Sequence, residues 1–158
     1  MYTSCVPTLF IIYASTSGHT EYVIDTLVDF LKGKGTKNVT KQIAEKTQAD
    51  DLLKGDVLLL ASSTWNTGNV EGQLNPHMFA LLLDRAKAVD LKGKMVVVIG
   101  LGDERYFYTA NSVNHLKEFV ASHGGTLILD PLEILNEPYG QEKKIQEWGA
   151  KLLKILSV

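Results

Sequence analysis

Three strand-length runs in this chain carry no polar face until their ends: residues 8–14, the stretch DVLLLASS, and KMVVVIGLG. Strands that are apolar on both sides belong inside a parallel sheet covered by helices above and below. The segments between them have a helical period. Val23, Ile24, Leu27, Val28 and Leu31 fall on one face of a helix that Gly33 and Gly35 bring to an end. Val39 to Ala44 alternates as a weaker, edge-type strand. A short helix is expected around Ala49 to Leu53, a longer one from Pro76 to Val89, and another from Asn111 to His123. GGTLIL supplies a fifth strand, and a last helix from Gln141 to Leu156 offers Ile145, Trp148, Leu152 and Ile155 to a core. The alternation of strand and helix, with every connection long enough for a parallel crossover, predicts one doubly wound α/β domain over residues 1–158.

Bulk composition removes several function classes. Sixteen basic and eighteen acidic side chains give a formal charge of −2, which leaves no electrostatic footprint for nucleic acid or anionic lipid. Cys5 is the single cysteine, so an internal disulfide and a Cys-rich metal motif are both excluded. No apolar run approaches the length of a membrane span, and the first 14 residues lack a basic leader region. The expectation is a cytoplasmic, reduced protein. His77, His115 and His123 show no metal-ligand spacing and are read as solvated helix residues.

Ligands of doubly wound sheets sit beyond the carboxyl ends of the strands, where strand order reverses. That singles out STSGHT, SSTWNTGNVEG and GLGDERYFYTAN, which follow the first, third and fourth strands. Ser15, Thr16, Ser17, Gly18, His19 and Thr20 put four hydroxyls at the start of a helix, where free N–H groups and the helix dipole favour an anion. The loop has neither the G-x-x-x-x-G-K-[ST] of a nucleotide-hydrolysing loop nor the G-x-G-x-x-G of a dinucleotide fold. It suits one terminal phosphate held by neutral donors, with His19 the only side chain able to add positive charge. Trp65 stands beyond its strand among polar residues, where no core periodicity claims it, whereas Trp148 falls on an apolar helix face. Tyr106 and Tyr108 share one side of an extended segment, with Phe107 on the other. Aromatic residues on two loops beside a phosphate site point to a flat heterocycle stacked between them.

Ser-x-Ser-Gly-x-Thr, Ser-Thr-Trp and Gly-x-Gly-Asp-x-x-Tyr-x-Tyr, in this order after the three strands, resemble flavodoxins of the short-chain type. The resemblance spans essentially the whole chain and implies a five-stranded parallel sheet in the order 2-1-3-4-5. It implies a low-potential one-electron carrier with non-covalently bound FMN, loaded by a separate reductase and discharged by a redox enzyme, acting as a monomer. Carried over by position, Ser15 to Thr20 bind the phosphate, and Ser63 and Thr64 line the approach to the ribityl chain and ring. Trp65 and Tyr106 cover the two ring faces, with Tyr108 beside Tyr106. Asn66, Thr67 and Gly68 continue the ring loop. Leu101, Gly102 and Asp103 reach the pyrimidine edge through backbone groups. Flavodoxins are usually strongly acidic. This chain is nearly balanced, with Glu71 almost alone after Trp65 and Arg105 in the opposite loop, so weak charge repulsion at the ring is expected.

Two rivals share the topology. A flavodoxin-like quinone reductase generally carries an insertion after the fourth strand, whereas here a helix follows that loop closely. A phospho-accepting receiver domain needs acidic residues where this chain has Tyr13-Ala14-Ser15 and Ser62-Ser63-Thr64.

Overall fold

β1 (Leu9–Ala14) is buried along its whole length, as a strand with neighbours on both edges and helices on both faces must be. It pairs in parallel with β2 (Val39–Ile43) on one side and β3 (Val57–Thr67) on the other. β3 in turn pairs in parallel with β5 (Met95–Gly102). The computed structural model describes residues 7–104 and 110–157. Within it the sheet order is β2-β1-β3-β5-β6, where β6 is Thr126–Leu127. This is the order that the resemblance implies, with β5 and β6 as the fourth and fifth parallel strands. β2 closes one edge and, with Thr40 and Lys41 exposed, shows the mixed pattern of an edge strand.

Two strands depart from the expectation. The segment after Ser63, read as a loop, is a β-hairpin: β3 runs on to Thr67 and returns as β4 (Val70–Leu74). Gly68 and Asn69 form its two-residue turn, both with positive φ (61° and 63°), the geometry whose twist matches a hairpin. The register slips by one between Trp65 and Thr67: Glu71 and Gly72 stand opposite Asn66 alone, which places a bulge in β4, where Gly72 has φ 73°. The fifth parallel strand is split in two. β6 pairs with Met95 and Val96 at the start of β5, and β7 (Leu132–Leu135) pairs with Ile99 to Gly102 at its end. The interruption contains Pro131, which has no N–H to give to the ladder.

α1 (His19–Gly33) and α4 (Glu142–Leu156) cover one face of the sheet. Val23, Ile24, Leu27 and Leu31 from the first, and Ile145, Trp148 and Leu152 from the second, join a single buried cluster. Ile155, expected on the core face of α4, is only half-buried; Leu156 takes the buried place. The opposite face is covered by α2 (Pro76–Ala80), the turn that continues it, and α3 (Ser112–Ser122). The single helix expected over residues 76–89 is shorter. After Ala80 it widens to a π-type turn over Leu81–Arg85, and it ends at Ala86. Because β1, β3 and β5 run parallel, Ser15, Ser63 and Asp103 leave the same end of the sheet.

A candidate cofactor cleft at the carboxyl ends of the strands

The turn from β1 into α1 is built to leave donors free. Gly18 takes φ 90°, a left-handed conformation that glycine adopts without strain, and caps the helix with its backbone alone. Its carbonyl accepts the N–H of Tyr22 at 3.0 Å. Ser15 Oγ accepts the N–H of Glu21 at 3.3 Å. The preceding first-turn N–H groups have no intrahelical partner by construction. Thr16 and Ser17 are exposed on the rim. Thr20 is 1% exposed, and its Oγ1 is the one buried side-chain polar atom among the described residues without a hydrogen-bond partner. Leaving such a group unpaired costs about 1–3 kcal/mol, so its position beside the free N–H groups calls for a ligand.

Next to this turn lies a cleft of about 910 Å³. Of the residues selected from the sequence it brings together Ser17, His19, Ser63, Thr64, Trp65, Asn66, Leu101, Gly102 and Asp103, and it adds Glu71, Gly72, Glu104, Asn136 and Glu137. Trp65 is 37% exposed, and its indole N–H donates to Ser63 Oγ at 2.7 Å, which pins the ring to its own strand. Thr64 turns inward. Its hydroxyl donates to the Leu101 carbonyl at 2.8 Å and accepts the Ser112 N–H at 3.0 Å, while Ser112 Oγ donates to the Ser62 carbonyl at 3.0 Å. These bonds lock the ends of β3 and β5 to the start of α3. The hydroxyl of Thr67 is committed to the Leu74 carbonyl at 2.7 Å inside the hairpin, and Gly68 forms the turn, so neither faces the cleft. Tyr106 and Tyr108, expected as the second aromatic wall, lie outside the described residues, as does Arg105.

The loop after β7 was not selected from the sequence, yet it closes the third side. Asn136 donates its N–H to the Gly102 carbonyl at 2.7 Å, and its amide is paired twice with Glu104: Nδ2 donates to Oε1 at 3.0 Å and Oδ1 accepts the backbone N–H at 3.2 Å. Asn-Glu-Pro after a strand is the only sequence signal, and it reads as an ordinary turn. Tyr139 from the same loop meets His19 edge-on at 5.7 Å and Tyr22 at 4.8 Å. The Tyr22 hydroxyl donates to Glu142 Oε1 at 2.6 Å. That bond, with the Gly140 N–H, holds the Glu142 carboxyl below the usual carboxylate range and raises the Tyr22 phenol.

Geometry adds acidic groups around Glu71; Arg105, the other half of the charge expectation, lies outside the described residues. Glu71, Asp103, Glu104 and Glu137 come from three separate segments to line one cleft, and the described lining has no lysine or arginine. The formal balance of the chain conceals this, because the lysines and arginines among the described residues lie outside the cleft lining. The histidine reading also changes in part. His77 is exposed with Glu45 at 3.7 Å, but His115 is half-buried beside Asn111, and His123 stacks on Phe119 at 3.9 Å with ring nitrogens against the Phe119 and Lys87 carbonyls.

The flavodoxin family model matches residues 11–148. A flavodoxin of Maridesulfovibrio salexigens is 31% identical over 140 residues, which cover 89% of this chain and 92% of that protein. Among solved structures, oxidised flavodoxin 2 of Bacillus cereus superimposes with a TM-score of 0.83 at 29% identity, over 94% of this chain and 99% of that one. A flavodoxin mutant of Fusobacterium nucleatum described as bound to flavin mononucleotide has a TM-score of 0.77 at 20% identity, over 99% of this chain and all of that one.

Proposed function

The chain belongs to the flavodoxin family and is an FMN-binding electron carrier, not an enzyme, and we propose that its FMN occupies the cleft between the β1–α1 turn, Trp65 and the Leu101-Gly102-Asp103 turn. The observation that carries this placement is Thr20 Oγ1, buried and without a partner at the start of α1. A phosphate there takes up that hydroxyl, the exposed hydroxyls of Thr16 and Ser17, and the free first-turn N–H groups. No lysine is needed, because the helix end supplies the favourable potential.

Bound FMN supplies the one-electron chemistry; the protein supplies binding, orientation and electrostatics. Trp65 offers an indole face already fixed by its bond to Ser63, so little rotamer freedom is lost on stacking. Thr64 and Ser112 hold the Leu101 end of β5 in place, which sets the position of the following turn. Glu71, Glu104 and Glu137 on the cleft rim oppose added negative charge, the direction required of a low-potential carrier. We assign its partners as a separate reductase that donates electrons and a redox enzyme that accepts them. The protein then works as a cytoplasmic, single-domain monomer. No helix among the described residues is long and apolar enough to cross a membrane.

Thr20→Val tests the placement, because the two states respond in opposite directions. The substitution removes an unpaired buried hydroxyl at constant shape, so the apoprotein should unfold at an equal or higher denaturant concentration. The same change deletes a hydrogen bond to a charged group, so FMN should bind at least about tenfold more weakly. Unaltered FMN affinity would remove the phosphate from this turn.

A further inference from the structure

Asn75, which the sequence motifs did not select, is completely buried between the two halves of the cleft. It caps α2: its Oδ1 accepts the N–H of His77 at 2.9 Å. A backbone N–H only donates, so the atom facing it must be the amide oxygen, and the amide nitrogen must point the other way. Asn75 Nδ2 then donates to Thr16 Oγ1 at 3.0 Å and, at 3.4 Å, to Ser63 Oγ. An amide nitrogen has no lone pair to offer, so Thr16 Oγ1 accepts, and its own proton is left for a partner on its exposed side. Ser63 Oγ is placed in the same way, because it also accepts the indole N–H of Trp65 at 2.7 Å. The backbone N–H of Asn75 ties the residue to β3 through Ser62 Oγ at 3.0 Å and the Ser63 carbonyl at 3.1 Å.

We propose that Asn75 is a positioning residue for the cofactor: it fixes Thr16 as a hydrogen-bond donor toward the phosphate and couples the phosphate turn to the Trp65 wall through Ser63. The proposal rests on the placement of the phosphate at the β1–α1 turn. An amide is the group that does this. A carboxylate of the same shape would still cap α2, but it would take the protons of Thr16 and Ser63 for itself.

Asn75→Asp and Thr16→Val, singly and together, separate these effects when FMN and riboflavin, which lacks the phosphate, are titrated into each apoprotein. Asn75→Asp should weaken FMN by about tenfold or more and riboflavin by less. In the Thr16→Val background its effect on FMN should shrink, because the hydroxyl whose proton it captures is gone, whereas repulsion from the new charge is the same in both backgrounds. Asn75→Ser keeps a helix cap without a charge but is too short to reach Thr16. It should reduce the preference for FMN over riboflavin in the same direction by a smaller factor. Log affinities that simply add, or an equal fall for both ligands, would overturn the role of Asn75 while leaving the phosphate site intact. A wild-type protein that binds riboflavin as well as FMN would overturn the phosphate site, and this proposal with it.

Discussion

Trp65→Ala should weaken FMN binding about 5- to 150-fold and restore much of the flavin fluorescence that the wild-type protein quenches. The range follows from roughly 1–3 kcal/mol for one stacking contact with an aromatic side chain. The indole is 37% exposed and bonded to Ser63, so it contributes little to the fold and is held ready for a ring. Its removal should leave the apoprotein's unfolding midpoint nearly unchanged, since single exposed side chains are worth little to stability. Fluorescence titration and thermal unfolding of the same variant measure both effects. A variant that binds and quenches FMN as the wild type does would exclude Trp65 from the flavin site.

The converse result is expected from the second tryptophan. Trp148 is 6% exposed in the cluster that joins α1 and α4 to the sheet, and its indole N–H donates to the Asp130 carbonyl at 2.8 Å. Trp148→Ala should destabilise the apoprotein by about 3–5 kcal/mol through the lost burial and the cavity left behind. For a chain of this size that corresponds to a fall in the unfolding midpoint of roughly 6–20 °C. The Asp130 carbonyl, which lies where the last parallel strand is interrupted, loses its donor as well. Where the variant remains folded, its bound flavin spectrum should match the wild type. A flavin spectrum altered more by Trp148→Ala than by Trp65→Ala would reverse the assignment of the two residues.

The two tryptophans also show what the sequence makes legible. Trp148 is claimed by a helical period, Trp65 by none, and that difference alone separates core from cleft. The parallel sheet was readable for the same reason, since LFIIYA and MVVVIG leave no face for water. Pairing partners were harder to see. Gly68-Asn69 is a hairpin turn signal, but the polar residues on either side of it hid the strand that β4 stabilises by pairing. The split of the last strand around Pro131 follows from one missing N–H, yet nothing in GGTLIL shows that β5 would be long enough to pair with both pieces.

Ser17 and His19 after β1, Ser63 to Asn66 on β3 and Leu101 to Asp103 at the end of β5 line one cleft. The residues that hold them do not announce themselves. Asn75 caps α2, and its second bond spans 59 positions to Thr16. Ser112, the first residue of α3, ties β3 to that helix. The acid content of the cleft was hidden for a related reason. Glu71, Glu104 and Glu137 are far apart in the chain, and only folding brings them to one rim.

Stoichiometric titration of the apoprotein with FMN, followed by flavin fluorescence and repeated with FAD, tests the central claim most directly. Saturation at one FMN per chain with strong quenching, together with far weaker binding of FAD, is the expected result for a turn shaped around one terminal phosphate. Absence of saturable FMN binding, or FAD bound as tightly as FMN, would contradict it.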